Sequence, residues 1–345
     1  MTLADHAKRL RWRMLMLTKR ALDATAGSLA VTLLRVIRWF DAEKTARFAG
    51  RMARRLGPWF KENEIGRKNL AAAFPEKSPA EIAEILREVW FNIGQIGAEY
   101  AHLDKLGAIE LDADGLPRQG GRIEFDEATR ERFNTLRDDG KPALIFAAHL
   151  ANWELPAVAA AVFGLKADLL YRPPSLGDVA EAINRIRSVN MGNLVPTGPD
   201  APIRLAATLA RNEHVGMLVD QHTSNGVDVT FFGRPCKTNS TIARLTRHYS
   251  DCPVHGVRVI RLPAHRFRIE LTPAVEIARL ADGRVDVVAT TQRINDVIEG
   301  WVREYPAQWL WLHRRWRPDE TPAPEEPAGK AAAAGTSPPG LDPRP

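Results

Sequence analysis

Between residues 143 and 271 short apolar runs of strand length alternate with longer stretches of helical periodicity, and this alternation constrains the fold more than any other feature of the chain. The runs are Ala143 to Ala147, Leu169 to Tyr171, Leu194 to Val195, Val215 to Val219, Val227 to Phe232, Val254 to Ile260 and Phe267 to Leu271. Helical stretches stand between several of them: Asn152 to Phe163, Gly177 to Val189, Ala201 to Arg211 and Thr241 to Tyr249. A helical crossover brings the next strand back parallel to the last. The expectation is therefore an α/β domain with a mixed, mostly parallel sheet flanked by helices. In such sheets ligands bind where strand ends meet helix starts, so residues at those junctions are the first candidates for chemistry.

Ahead of this region the pattern is helical. Asp41 to Leu56 is amphipathic, and Ser78 to Glu81 forms a Ser-x-x-Glu capping box that opens a helix over Pro79 to Tyr100. A last helix is expected from Thr290 to about Tyr305. The formal charge of +6 is concentrated at one end: residues 1 to 60 carry 13 Lys and Arg against four acidic residues. An excess placed this way suits an anionic surface, either lipid headgroups or nucleic acid. Only eleven uncharged residues run from Ala24 to Leu34, well short of the ~20 that a spanning helix needs. Around them Leu15, Leu22, Leu29, Leu33, Val36 and Phe40 share one helical face, with Arg11, Arg13, Lys19, Arg20, Arg35 and Arg38 beside it. That is the pattern of a helix lying in a membrane interface, and equally of an amphipathic helix docked on its own domain. No small-residue cleavage site follows a compact apolar run, which disfavours a cleavable signal peptide. The organisation expected is basic amphipathic membrane-associated helices over 1–60, an α/β domain with a helical lead-in over 61–317, and a disordered tail over 318–345. In the tail eight prolines and a four-alanine run replace apolar periodicity. Cys236 and Cys252 match neither a zinc knuckle nor a disulfide framework and read as free thiols in a reducing compartment.

The sharpest local feature is Ala147-Ala148-His149-Leu150-Ala151-Asn152-Trp153-Glu154, an apolar strand that ends in His-x-x-x-x-Glu at the mouth of a helix. Residues five apart on one helix point ~140° apart, so His149 belongs in the turn before it. From there Glu154, in the first helical turn, is expected to reach back, fix the imidazole tautomer and make His149 a general base. A structural or surface histidine is the plainer reading of the motif alone. Metal binding is not expected, since no second histidine stands at ligand spacing. There is no Gly-x-Ser-x-Gly elbow, no phosphate-binding Gly-Lys-Ser/Thr loop and no Gly-x-Gly-x-x-Gly fingerprint, so direct transfer to a substrate hydroxyl is the simplest chemistry.

His149 to Glu154 resembles the His-x-x-x-x-Asp/Glu motif of the glycerolipid acyltransferase superfamily, and His-Leu-Ala-Asn-Trp-Glu resembles its lipid A late-acyltransferase branch, the lauroyl and myristoyl transferases. Further blocks agree in order and spacing: Tyr171-Arg172-Pro173; Asp220-Gln221 with Phe231-Phe232-Gly233 and Lys237-Thr238; and Pro306 to Trp316. Asn69-Leu70, Ala73-Phe74-Pro75 and Asn92 also fit, so the resemblance covers roughly residues 65 to 317. Two departures stand out: Cys236 replaces a small residue such as Ala, and Asn190-Met191-Gly192 replaces an Arg-x-Gly turn.

The resemblance implies transfer of a fatty acyl chain from an acyl carrier protein thioester to a hydroxyl of a Kdo-bearing lipid A precursor, on the cytoplasmic face of a bacterial inner membrane, with no cofactor. It makes His149 and Glu154 catalytic and Arg172, Asp220, Asn152 and Gln221 substrate-binding. Arg172 suits a phosphate of the glycolipid or of the carrier's phosphopantetheine. Asp220 is expected to position Arg172 or the dyad, and Asn152 either contacts substrate or caps the helix that carries Glu154. Trp309, Trp311 and Trp316 with His313, Arg314, Arg315 and Arg317 suggest a membrane surface; a packed helix end is the other reading. No nucleic-acid fold or motif accompanies the basic residues, and nucleic acid is not an expected partner. Two other functions remain open: the same dyad acting on another membrane glycolipid or an aminolipid, and a catalytically silent membrane-bound scaffold.

Overall fold

The computed structural model describes residues 31–107, 121–173 and 177–317, together with residues 11, 12, 14, 16, 25 and 27–29. The expected tail from residue 318, and Leu15 and Leu22 of the expected interfacial stripe, lie outside the described residues.

Among the described residues nine strands follow one another as β1 (Ile123–Phe125), β2 (Leu144–Ala147), β3 (Ala167–Tyr171), β4 (Asn193–Pro196), β5 (His214–Leu218), β6 (His222–Phe231), β7 (Arg234–Thr238), β8 (Val254–Leu262) and β9 (Arg266–Ala274). Seven of them form one sheet in the order β1-β9-β8-β2-β5-β3-β4, and β6 and β7 make a separate hairpin. Every pairing in the large sheet is parallel except β8 with β9, a hairpin whose turn holds Ala264 and His265 at positive φ. The mixed, mostly parallel α/β architecture is thus present. All seven expected runs are strands, and β1 and β7 are additional ones. β1 is only three residues long, and β7 (Arg-Pro-Cys-Lys-Thr) has no apolar alternation by which to recognise it.

Alternate residues of β2 enter different cores, as the two-residue period of a strand requires. Leu144 and Phe146 face the larger one, with Val215, Val254 and the residues Ile294, Ile298 and Trp301 of helix Val287–Glu304. The same core takes in Leu70, Phe74, Ile82, Leu86 and Val89 from the N-terminal helical layer. That layer consists of α1 (Ala42–Leu56), α2 (Lys61–Ala73) and α3 (Pro79–Glu99), and α3 opens on the expected Ser78/Glu81 capping box. Helical lead-in and sheet therefore share one interior. On the opposite face lie α4 (Glu127–Asp138) and α5 (Leu155–Val162), with α6 (Gly177–Asn190) beyond.

The tryptophans near the end of the chain are inside the protein, which corrects the expectation of a membrane-facing cluster. Trp309, Trp311, Trp316 and Arg315 are all buried. Most, but not all, of the polar tips that the cluster buries find a partner, which lowers the cost of burying them; among the described residues the Trp316 indole N–H and Arg315 Nε have none. The Trp311 indole donates to the Pro306 carbonyl (2.7 Å), and Arg315 donates to the Lys237 carbonyl (3.0 Å) and to Asn295 Oδ1 (3.1 Å). Among the described residues no helix is long and apolar enough to cross a membrane.

Candidate active site

The register of the sheet builds the site. Ala147 of β2 pairs with Leu218 of β5, so the residues two beyond each strand end, His149 and Asp220, come out side by side at the carboxyl edge. The chain leaves β2 towards α5 on one face and leaves β5 towards the β6–β7 hairpin on the other, so the crevice between these ends is the one an open α/β sheet uses for ligands. Asp220 is fully buried, and its Oδ1 accepts from His149 Nδ1 at 2.7 Å. Its Oδ2 accepts from the His149 backbone N–H (2.8 Å) and from the Trp309 indole (2.7 Å). Burial alone would raise the Asp220 carboxyl, but the His149 charge and these hydrogen bonds hold it far below the usual carboxylate range. An ionised carboxylate only accepts, so Nδ1 carries a proton, and in the neutral imidazole the lone pair is on Nε2. That lone pair faces the Gln221 amide, 3.3 Å away, and the imidazole itself is partly exposed.

Glu154 does not take the role expected of it. Among the described residues no hydrogen bond joins it to His149. Ala151, with φ +43°, turns the chain between the two, and α5 begins only at Leu155. The Glu154 carboxylate is buried and occupied elsewhere: Arg187 of α6 donates Nε to Oε2 at 3.0 Å and Nη2 to Oε1, the Tyr100 hydroxyl donates to Oε1, and the Trp153 indole does so at 3.1 Å. Burial and the Glu154 charge push the Tyr100 phenol well up, so it remains a donor. Burial disfavours the Arg187 charge, yet Tyr100 and Glu154 hold its pKa above the ordinary value. Arg187 and Tyr100 were missed in the sequence, since they lie 33 and 54 residues from Glu154 and belong to no local motif.

Asn152 bridges two networks. Its Oδ1 accepts the Glu154 N–H (3.3 Å), as a turn-capping side chain does, and its Nδ2 donates to Glu99 Oε2 (2.9 Å). Glu99 is fully buried and also binds the Arg261 guanidinium through both terminal nitrogens (2.5 and 2.9 Å) and His265 Nε2 (2.9 Å). Burial would raise its pKa, and Arg261 and His265 overcome that to bring it to about 2. Asn152 is thus a buried turn residue. Arg172 stands exposed just beyond the end of β3, and Asp220, engaged with His149 and Trp309, is not its partner.

Beside the dyad an apolar cavity of about 140 Å³ runs between the sheet and α5. Ile145, Ala147, Leu169, Gly216 and Leu218 form its floor, Pro156, Ala157 and Ala160 its roof, and Phe133, Leu136 and Leu271 line it on the side of α4. The small residues of α5 keep it open. Glu154, Arg187 and Tyr171 supply its polar edge. Trp153 belongs to its wall and also packs edge-on against the His149 ring, with centroids 5.0 Å apart, so dyad and cavity share a boundary.

A family model described as bacterial lipid A biosynthesis acyltransferase matches residues 16–318. The chain belongs to that family. An acyltransferase role in lipid A synthesis follows from the membership, with an acyl donor and a lipid acceptor as its substrates. A comparison with curated proteins gave no match. For a lipid A acyltransferase the site has the required parts: a partly exposed imidazole with a fixed tautomer, and next to it a space that takes hydrocarbon.

Proposed function

We propose that this lipid A acyltransferase transfers a fatty acyl chain from an acyl carrier protein thioester to the hydroxyl of a 3-hydroxyacyl chain on a Kdo-bearing lipid A precursor, at the cytoplasmic face of a bacterial inner membrane. The acceptor hydroxyl takes the place of the Gln221 amide at His149 Nε2. As its oxygen attacks the thioester carbonyl carbon, its proton passes to Nε2, and Asp220 stabilises the imidazolium. The tetrahedral intermediate collapses with cleavage of the carbon–sulfur bond. His149 then returns the proton to the departing thiolate, leaving an ester and the free carrier thiol. The acyl chain lies in the cavity under α5, where each buried methylene contributes ~0.8 kcal/mol. Arg172, exposed beside the crevice, meets a phosphate of one substrate. Glu154 keeps Trp153 and Arg187 in place at the cavity edge, a positioning role.

The observation that carries this reading is the His149–Asp220 pair, with the imidazole partly exposed, next to a cavity lined by apolar side chains. Its test offers labelled acyl-carrier thioester together with the Kdo-bearing precursor or ordinary phospholipids, using wild type and His149→Gln. Product on the precursor alone, lost in the variant, is the expected result. Product only on another acceptor would replace the proposed substrate, and equal product from His149→Gln would remove the mechanism.

A further inference from the structure

α1 packs in the reverse of the usual sense. An amphipathic helix normally buries its large apolar residues, but α1 buries Ala42, Ala46 and Gly50 and leaves Phe48 and Met52 exposed. The reason is its close approach to α3: a Cβ on Gly50 would meet the Phe91 ring at 2.8 Å, and one on Gly94 would meet the Ala49 carbonyl oxygen at 2.4 Å. Small residues make the contact, so the bulky ones are left over. They share the outer face with Lys44, Arg47, Arg51 and Arg55, all exposed. Exposed aromatic pairs flank the helix, Trp39 and Phe40 before it and Trp59 and Phe60 after it, and Trp39 and Trp59 are more than four-fifths exposed.

All six large aromatic side chains exposed among the described residues fall in the first 60 positions, whereas five of the six later tryptophans are buried and Trp153 is half-buried. Monomeric proteins rarely expose a patch of this kind without a partner. We infer that the outer face of α1, with Trp39, Phe40, Trp59 and Phe60 at its ends, lies flat on a bilayer containing anionic phospholipid. This deepens the membrane location proposed above. At 15 residues the helix is ~22 Å long, and its outer face is a ridge of side chains rather than a groove. Arginines interleaved with Phe48 and Met52 suit phosphates above acyl chains, and tryptophans settle at headgroup depth.

The attachment also orients the crevice. At the Trp39 end Arg38 donates to the Ala101 carbonyl (2.9 Å) and pairs with Asp104 (2.8 Å), next to Tyr100, which donates to Glu154. A lipid acceptor leaving the bilayer at this end thus meets the edge of the active site.

The test uses the full chain in a Trp12→Phe background with phosphatidylcholine/phosphatidylglycerol vesicles whose acyl chains are brominated. Tryptophan emission should be quenched on binding, and Trp39→Phe with Trp59→Phe should abolish most of the quenching while the protein still floats with the vesicles. Replacing Arg47, Arg51 and Arg55 by Ser should weaken binding to these vesicles about a hundredfold, at ~5-fold per cation, and leave turnover on a detergent-dispersed acceptor unchanged. Quenching that survives loss of both tryptophans, flotation without quenching, or the arginine variant binding as tightly as its parent would each overturn the inference. So would a change of oligomeric mass in the variants with vesicle binding unaltered, which would make the face a contact between copies. Because quenching is read without turnover, loss of the proposed activity in the parent would refute the function and not this surface.

Discussion

Replacing Asp220 by Asn tests the site most directly, because the structure dictates how the new amide must sit. Two fixed donors, the His149 backbone N–H at 2.8 Å and the Trp309 indole at 2.7 Å, converge on Oδ2. An amide oxygen satisfies both and an amide nitrogen neither, so the carbonyl takes that position and the NH2 faces His149 Nδ1. The imidazole must then accept at Nδ1 and carry its proton on Nε2, where it can no longer take one from a hydroxyl. Loss of a fixed tautomer and of the counter-charge in a comparable triad lowers kcat by ~10⁴, and we expect that order here with little change in KM for the acyl donor. Glu154→Gln should behave differently. It leaves Arg187 buried without its ionic partner, which costs about 3 kcal/mol of stability. The tautomer of His149 is untouched, so kcat falls far less than in Asp220→Asn. Steady-state acyl transfer with a thermal melt of each variant separates the two effects. Turnover within tenfold of wild type in a folded Asp220→Asn protein, with abolition in a folded Glu154→Gln protein, would refute the assignment of Asp220 as the orienting acid.

Three further outcomes follow from the same geometry. Gly216→Ala places a Cβ 2.8 Å from the Leu169 side chain on the cavity floor, and the leucine should rotate into the cavity; competition between thioesters should then favour shorter chains, with ~1 to 3 kcal/mol lost in a denaturant titration. Acid should lower the stability of the protein over two pH windows. His313, half-buried and lowered by desolvation to about 4 from 6.5, takes up a proton in the unfolded chain first, so stability falls as pH drops from 6.5 to 4; Glu99, at about 2 against 4.5, withdraws its contribution as pH falls from 4.5 to 2. Titrating stability against pH should show both, and His313→Gln should remove the upper one. Arg187→Met leaves the Glu154 carboxylate buried without its cation and should cost ~3 to 5 kcal/mol, much of it recovered in the double variant with Glu154→Gln; additive losses would show that the pair is not coupled.

What could be read in the sequence was local. Ala143 to Ala147 identifies β2, and the apolar run before Asp220 identifies β5, because both are buried on two faces and carry no polar interruption. The capping box of α3 was legible for the same reason, all its parts lying within four residues. His149 could be placed at a strand end by the five-residue spacing, but the choice of its acid could not. That choice depends on the β2–β5 register, a contact between residues 71 apart, and a nearby Glu154 was the only carboxylate that spacing could offer. The same limit misplaced the closing tryptophans: a mixture of Trp and Arg reads as an interface until Trp309 is seen to donate to Asp220, and Arg315 to Asn295 and the Lys237 carbonyl, inside the protein. The helix α1 was legible as an amphipathic stretch, but its pattern did not show which face is buried. The close approach of α1 and α3 at Gly50 and Gly94 decides that.

The turn from Ala148 to Leu155 is held from both sides by parts of the chain remote in sequence, and this explains how it keeps a residue with positive φ. On one side the closing segment pairs with it as a short antiparallel bridge: Ala151 N–H donates to the Gln308 carbonyl at 2.8 Å, and Leu310 N–H to the His149 carbonyl at 3.1 Å. On the other side Glu99, at the end of α3, holds Asn152, while Gln308 reaches Arg261, a partner of Glu99, through the Arg261 N–H at 2.8 Å. A non-glycine residue at φ +43° costs of order 1 kcal/mol or more and persists only where its surroundings over-determine it. Ala151→Gly should therefore relax the turn without removing any side chain from the site. If the strain serves to hold His149 against Asp220, that variant keeps or gains stability and loses kcat; a gain in stability with kcat unchanged would mean that the two networks fix the imidazole without help from the turn.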